Sequence, residues 1–134
     1  MPASPRVHHL AVVVEDMDRA LSFWRDALGL ELAGVLEAPE QASQVAFLPA
    51  GEAEIELVRP TSDDSGVARY LAKRGPGMHH ICLSVEDLPG MLERLAALGV
   101  RLINAEPAAG ADGRRYAFVH PESTGGVLLE LYQT

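Results

Sequence analysis

A chain of 134 residues has the size of one domain and is long enough to bury a core; its 48% hydrophobic and 22% charged residues are the balance of an ordinary globular protein. A net charge of −8 argues against a nucleic-acid surface, which needs a basic patch, and no apolar run approaches the length of a membrane span. The single cysteine, Cys82, excludes an internal disulfide and fits a reducing cytoplasm, as does an opening stretch, MPASPRVHHL, without a signal-peptide layout. An anionic small ligand stays open to such a chain, since a few local arginines suffice to hold one.

The first element is a strand, VHHLAVVVEDM, residues 7–17. It runs into a helix in which Met17, Ala20, Leu21, Trp24 and Leu28 recur at helical spacing, with Asp16 as N-cap and Gly29 as the stop. Two strand-like runs follow, QVAFLPA and EIELVRP. The cap-rich stretch TSDDS then opens a short helix around Val67, Tyr70 and Leu71 that closes at Gly75. At residue 78 the first phrase returns as MHHICLSVEDL. His80 lies 71 residues after His9, and Val85, Glu86 and Asp87 stand at the same offset from Val14, Glu15 and Asp16. A second helix carries Leu88, Met91, Leu92, Leu95 and Leu98, with Asp87 as N-cap and Gly99 as the stop. The runs RYAFVHP and VLLELYQ complete the copy. Each half reads strand, helix, then two or three strands. The predicted class is therefore α+β, built from two paired modules, each a strand, a helix and two or three strands, that share one cleft. Module one spans about residues 5–60, a helical connector about 61–77, and module two about 78–134.

Side chains alternate along a strand, so odd and even positions part company. His8, Leu10, Val12 and Val14 share one face, and Val7, His9, Ala11 and Val13 the other. In the second copy His79, Ile81, Leu83 and Val85 oppose His80, Cys82 and Ser84. The bulky aliphatic faces belong against the helices, which assigns His9 and His80 to a cavity wall. The last strand of each half supplies an acid by the same test. Glu56 lies opposite Ile55 and Leu57, and Glu130 opposite Leu129 and Leu131. A carboxylate in so apolar a strand as VLLELYQ is rarely buried without a partner. The candidate site is thus His9, Glu56, His80 and Glu130, one histidine and one glutamate per module. Mixed nitrogen and oxygen ligands without thiolate favour Co²⁺, Mn²⁺, Ni²⁺, Fe²⁺ or Zn²⁺ over Ca²⁺ or Mg²⁺. Two carboxylates balance the ion's charge, and an octahedral ion keeps two positions open for substrate.

The segments HHLAVVVEDMDRALSFWRDALGL, PEQASQVAFLP, IELVRPTSDDSGVARYLAKRGPGMHHICLSVEDL, GVRLINAEP and FVHPESTGGVLLEL cover nearly the whole chain in order. In them the sequence resembles the vicinal-oxygen-chelate superfamily and, within it, the methylmalonyl-CoA epimerase family. DSGVARYLAKRGPGMHHI and HPESTGGVLLEL are the specific stretches; the ligand set alone is shared more widely. The resemblance implies two paired βαβββ modules forming one metal-containing cleft, in which His9, Glu56, His80 and Glu130 bind a divalent metal, Co²⁺ foremost with Mn²⁺, Ni²⁺ or Zn²⁺ as alternatives. It also implies a small-molecule acyl-CoA substrate, a homodimer, and no nucleic-acid or membrane partner. Three positions depart from the family pattern. Val45 stands where some members carry a glutamate base, Glu122 replaces a familiar lysine, and Ala42 a usual glycine.

The expected reaction interconverts the (R) and (S) forms of methylmalonyl-CoA through an enolate, with Glu130 and Glu56 as the catalytic carboxylates. Arg114 and Arg115 are candidates to meet the CoA phosphates. A glyoxalase I (lactoylglutathione lyase)-type isomerase shares the ligand set and remains an alternative, as does a metal-free small-molecule binding protein of this fold. An extradiol dioxygenase uses two His and one Glu on Fe²⁺, and Glu56 would crowd its oxygen position.

Overall fold

A computed structural model describes residues 4–110 and 112–134, with only the backbone of Glu40. Two compact units divide these residues. One comprises residues 9–79, and the other residues 80–134 together with the described residues up to His8.

In the first unit, strand β1 (Arg6–Val13) contributes its portion from His9 onward. Helix α1 (Met17–Leu21) follows, then β2 (Gly34–Ala38), β3 (Ser43–Ala50), β4 (Ala53–Pro60) and helix α2 (Gly66–Arg74). The strands are ordered β2-β3-β4-β1. β1 runs parallel to β4, with His9 opposite Glu54 and Ala11 opposite Glu56, while β3 is antiparallel to both its neighbours. Asp16 caps α1 by accepting from the Arg19 N–H at 3.1 Å, which satisfies one of the donors that every helix start leaves open. Beyond Leu21 the helix widens into a π-turn over Ser22–Ala27, marked by the Leu28 N–H donating to the Phe23 carbonyl five residues back. Gly29, at φ 92°, ends it. The helix packs its Met17 and Leu21 on Val14, Ala46, Leu48 and Leu57, with Val12 and Ile55 at the margin. This is the aliphatic face expected of β1 and β4. Val67 of α2 packs against a separate cluster of Ala11, Ala38, Val45 and Val58 on the opposite face.

The second unit repeats the plan. Strand β5 (Gly77–Val85) contributes its portion from His80 onward; helix α3 (Leu88–Ala97), β6 (Ala108–Ala109), β7 (Arg115–Val119) and β8 (Leu129–Gln133) follow in order, and the strands are ordered β5-β8-β7-β6. β5 is parallel to β8, with Cys82 opposite Glu130, and β8 is antiparallel to β7, with Phe118 opposite Glu130. Asp87 accepts from the Gly90 N–H at 3.1 Å, and Pro89 occupies the first turn, where a missing N–H is harmless. The C-terminus of α3 closes as a Schellman motif. Gly99 sits at φ 82°, its N–H donates to the Ala96 carbonyl, and the Val100 N–H donates to that of Leu95. Leu88 and Leu92 are buried against Val85, Ala117, Val119 and Leu131. Each unit is therefore a βαβββ arrangement with its helix on one face of a four-stranded sheet, which leaves the other face for a site.

Candidate metal and active site

Strand alternation decides what that other face carries. In the first unit it holds His9, Ala11 and Val13 from β1, Glu56 and Val58 from β4, and Val45 and Phe47 from β3. His9 is buried to 2% exposure. Its Nδ1 lies 3.0 Å from Oε2 of Glu56. In the second unit the face holds His80 and Cys82 from β5, Glu130 and Tyr132 from β8, and Tyr116 and Phe118 from β7. Nε2 of His80 lies 3.2 Å from Oε1 of Glu130. The Phe118 ring meets the His80 ring edge to face at 5.7 Å between centroids. Each unit thus brings its predicted histidine and predicted glutamate into direct contact.

The spacing of each couple suits a shared cation as well as a hydrogen bond. Two ligand atoms at neighbouring corners of an octahedron with bonds of about 2.1 Å stand about 3.0 Å apart. The donors are also of the right kind. One imidazole nitrogen and one carboxylate oxygen per unit form an N/O set of the sort that borderline first-row ions take. Cys82 is fully buried and paired in register with Glu130, but its thiol lies 4.0 Å from the Leu83 carbonyl. Val45 is buried between Ala11, Ala38 and Val58, so β3 offers only hydrocarbon beside Glu56. Of the acids read from the sequence, Glu56 and Glu130 are the carboxylates that meet the histidines at these faces.

The first histidine of each doublet behaves differently from the second, and alternation alone misplaced one of them. His79 sets its ring against Tyr70 of α2 at 4.8 Å, and Arg74 lies over the tyrosine ring at 5.6 Å. His8 was expected on the aliphatic face with Val12 and Val14. It instead packs at 4.9 Å on Tyr132, a ring on the same face as Glu130, and lies 3.1 Å from Nη1 of Arg114. The described residues before His8 are exposed, and its ring is placed by the Tyr132 and Arg114 side chains it meets rather than by the helix-side packing that orients Val12 and Val14. Arg114 and Arg115 also separate. The guanidinium of Arg114 lies over the Tyr132 ring at 5.2 Å, whereas Arg115 is exposed on β7 opposite Ala109. Glu122, in place of the familiar lysine, is paired with Arg101 at 2.5 Å.

Residues 8–118 match the glyoxalase/bleomycin resistance protein/dioxygenase superfamily. The mitochondrial methylmalonyl-CoA epimerase of Mus musculus is 37% identical over 129 residues, which are 96% of this chain and 72% of that protein. The ethylmalonyl-CoA/methylmalonyl-CoA epimerase of Cereibacter sphaeroides is 35% identical over 96% of this chain and 97% of its own. A solved methylmalonyl-CoA epimerase in complex with methylmalonyl-CoA and NH₄⁺ superposes with a TM-score of 0.86 at 31% identity, covering 98% of this chain and 96% of that one. The chain belongs to the glyoxalase/bleomycin resistance protein/dioxygenase superfamily and, within it, to the methylmalonyl-CoA epimerase family. The α+β class and the paired βαβββ plan read from the sequence agree with that membership. No helix among the described residues is long and apolar enough to cross a membrane.

Proposed function

We propose that the protein interconverts the (R) and (S) forms of methylmalonyl-CoA, removing the proton between thioester and carboxylate and returning it to the opposite face. The observation that carries this reading is a His–Glu couple in each unit, with His9 and Glu130 buried, in a chain 37% identical to a methylmalonyl-CoA epimerase. His9, Glu56, His80 and Glu130 together hold one divalent ion, Co²⁺ by preference and Mn²⁺, Ni²⁺ or Zn²⁺ otherwise. Two ligands from one unit are too few for a structural or catalytic site of this kind, whereas four would hold an ion that could also take a chelating substrate. When bound, the ion supplies Lewis-acid stabilisation of the negative charge that develops on the thioester oxygen as the α-proton leaves.

The chain's own groups do the rest. His9 and His80 present ring nitrogens, and Glu56 and Glu130 balance positive charge. Val45, Phe47 and Phe118 keep the flanks apolar, and less water there means stronger electrostatics. Glu130 and Glu56 move the proton, one serving each face of the α-carbon. A carboxylate engaged by a cation would be a weaker base, so Glu56 or Glu130 would have to loosen from it to take the proton. Catalysis by such positioned carboxylates is worth about 10²–10⁴-fold.

Epimerisation of a single methylmalonyl-CoA epimer by apoprotein loaded in turn with Co²⁺, Mn²⁺, Ni²⁺ and Zn²⁺ tests the reading. Turnover of about 1–10³ s⁻¹ with at least one ion is expected. Failure with every ion, alongside isomerisation of the methylglyoxal–glutathione hemithioacetal, would assign the glyoxalase-type reaction instead. Ethylmalonyl-CoA in the same assay fixes the acyl preference. The protein acts as a homodimer in the cytoplasm. Strand β2 ends its sheet with Val35 and Leu36 exposed, an edge that pairing would cover, and the buried thiol of Cys82 suits a reducing compartment. A single-chain mass in sedimentation at micromolar concentration would refute the dimer, and recovery from an oxidising compartment the location.

A further inference from the structure

The second unit holds a cation on its ligand face that the metal site does not use. Arg114 directs Nη1 at Nε2 of His8, 3.1 Å away, and lays its guanidinium over the Tyr132 ring at 5.2 Å. His8 itself packs on the same ring at 4.9 Å. Arginine can only donate, so Nε2 of His8 accepts and the imidazole carries its proton on Nδ1. The backbone is fixed too: the Arg114 N–H donates to Oδ1 of Asp112 at 2.9 Å, and the Arg114 carbonyl accepts from the Gly110 N–H at 2.8 Å. Among the described residues no carboxylate pairs with the Arg114 side chain, in a chain whose net charge is −8. A guanidinium steered by a neutral histidine and a ring keeps most of its five donors for something else.

Its position limits what that is. Tyr132 follows Glu130 by two residues on one face of β8, about 7 Å along the strand. Arg114 therefore stands within a side chain's reach of the place where a substrate engaged beside Glu130 would put its acyl end. The CoA diphosphate hangs at the far end of the pantetheine arm. We infer that Arg114 binds the free carboxylate of the malonyl group, with His8 and Tyr132 as its positioning residues. The inference rests on the epimerase reading and adds the group that selects malonyl thioesters from simple acyl thioesters. A guanidinium N–H donates to the carboxylate oxygen that a chelated ion leaves free, so Arg114 holds the acyl group in one rotation about its α-carbon.

The test is titration calorimetry of metal-loaded wild type and Arg114→Ala with two ligands, methylmalonyl-CoA and propionyl-CoA. Both carry the whole CoA moiety, but only the first has a free carboxylate. The expected result is a loss of about 10- to 100-fold in methylmalonyl-CoA affinity and no change for propionyl-CoA. An equal loss for both would move Arg114 to the CoA phosphates, and no loss for either would remove it from recognition; both outcomes overturn the inference. If wild type binds no methylmalonyl-CoA, the epimerase reading itself fails. His8→Ala is expected to produce part of the Arg114→Ala loss, His8→Gln to restore it, and His8→Ala to add nothing in the Arg114→Ala background. Full additivity of the two substitutions would show that His8 does not act through Arg114.

Discussion

Glu130→Gln, reloaded with metal, is expected to lower exchange of the substrate α-proton by about 10²–10⁴-fold for at least one epimer. The substitution keeps the size and one oxygen of the side chain but removes its capacity to take a proton. Glu130 is 7% exposed, lies beside His80, and faces Phe118 across β7. No other acid of β8 shares that face, since its neighbours Leu129 and Leu131 belong to the helix side and Tyr132 follows on the ligand side. Val45 leaves β3 without a base, so the remaining candidate is Glu56, proposed above to serve the opposite face of the α-carbon. Glu56→Gln is accordingly expected to impair exchange of the other epimer. Proton exchange followed by mass spectrometry in D₂O reads each epimer separately. A Glu130→Gln protein that binds metal normally and exchanges both epimers at the wild-type rate would place the base elsewhere.

Substitution of the two histidines of MHHICLSVEDL should separate them just as sharply. His80→Ala is expected to weaken Co²⁺ binding by more than the roughly 10- to 100-fold typical of residues that merely support a ligand. It removes a nitrogen 3.2 Å from Glu130 and leaves that buried carboxylate with one partner fewer. His79→Ala is expected to change Co²⁺ affinity by only a few-fold, on the order of a surface substitution. Its ring rests on Tyr70, whose hydroxyl already donates to the Met78 carbonyl, so its loss loosens the end of α2 rather than the ligand face. Equilibrium dialysis against Co²⁺ measures both. Equal losses would show that the alternation along β5 has been assigned to the wrong faces.

Much of this was legible in the residues because the governing rules are local. Asp16 and Asp87 cap helices, Gly29 and Gly99 end them, and Ser65 and Gly75 bound α2; each follows from chemistry within one turn of chain. The period of two in β4, β5 and β8 sorted Ile55, Leu57, Leu83 and Leu131 from Glu56, His80 and Glu130. The 71-residue offset made the two sorted sets reinforce each other. What escaped depends on distant neighbours or on patterns that carry no signal. Strand β2, GVLEA, has no alternation, and its Val35 and Leu36 are both exposed because it lies at a sheet edge. The π-turn at Ser22–Ala27 has neither Gly nor Pro to announce it. The bond between His8 and Arg114 joins positions 106 residues apart, and nothing in either flanking sequence names the other. The sole hint was that the doublets are doublets. A second histidine at each repeat needed a use, and in both units the first one rests on a tyrosine that also carries an arginine.

The claim on which the rest depends is that the His9–Glu56 and His80–Glu130 couples act on one ion. Anomalous diffraction at the cobalt edge, from crystals grown with Co²⁺, tests it most directly. The account predicts one cobalt per chain, with His9, Glu56, His80 and Glu130 all at bonding distances of about 2.0–2.2 Å. Two separate ions, one on each couple, or a single ion that leaves either couple hydrogen-bonded to itself, would contradict it.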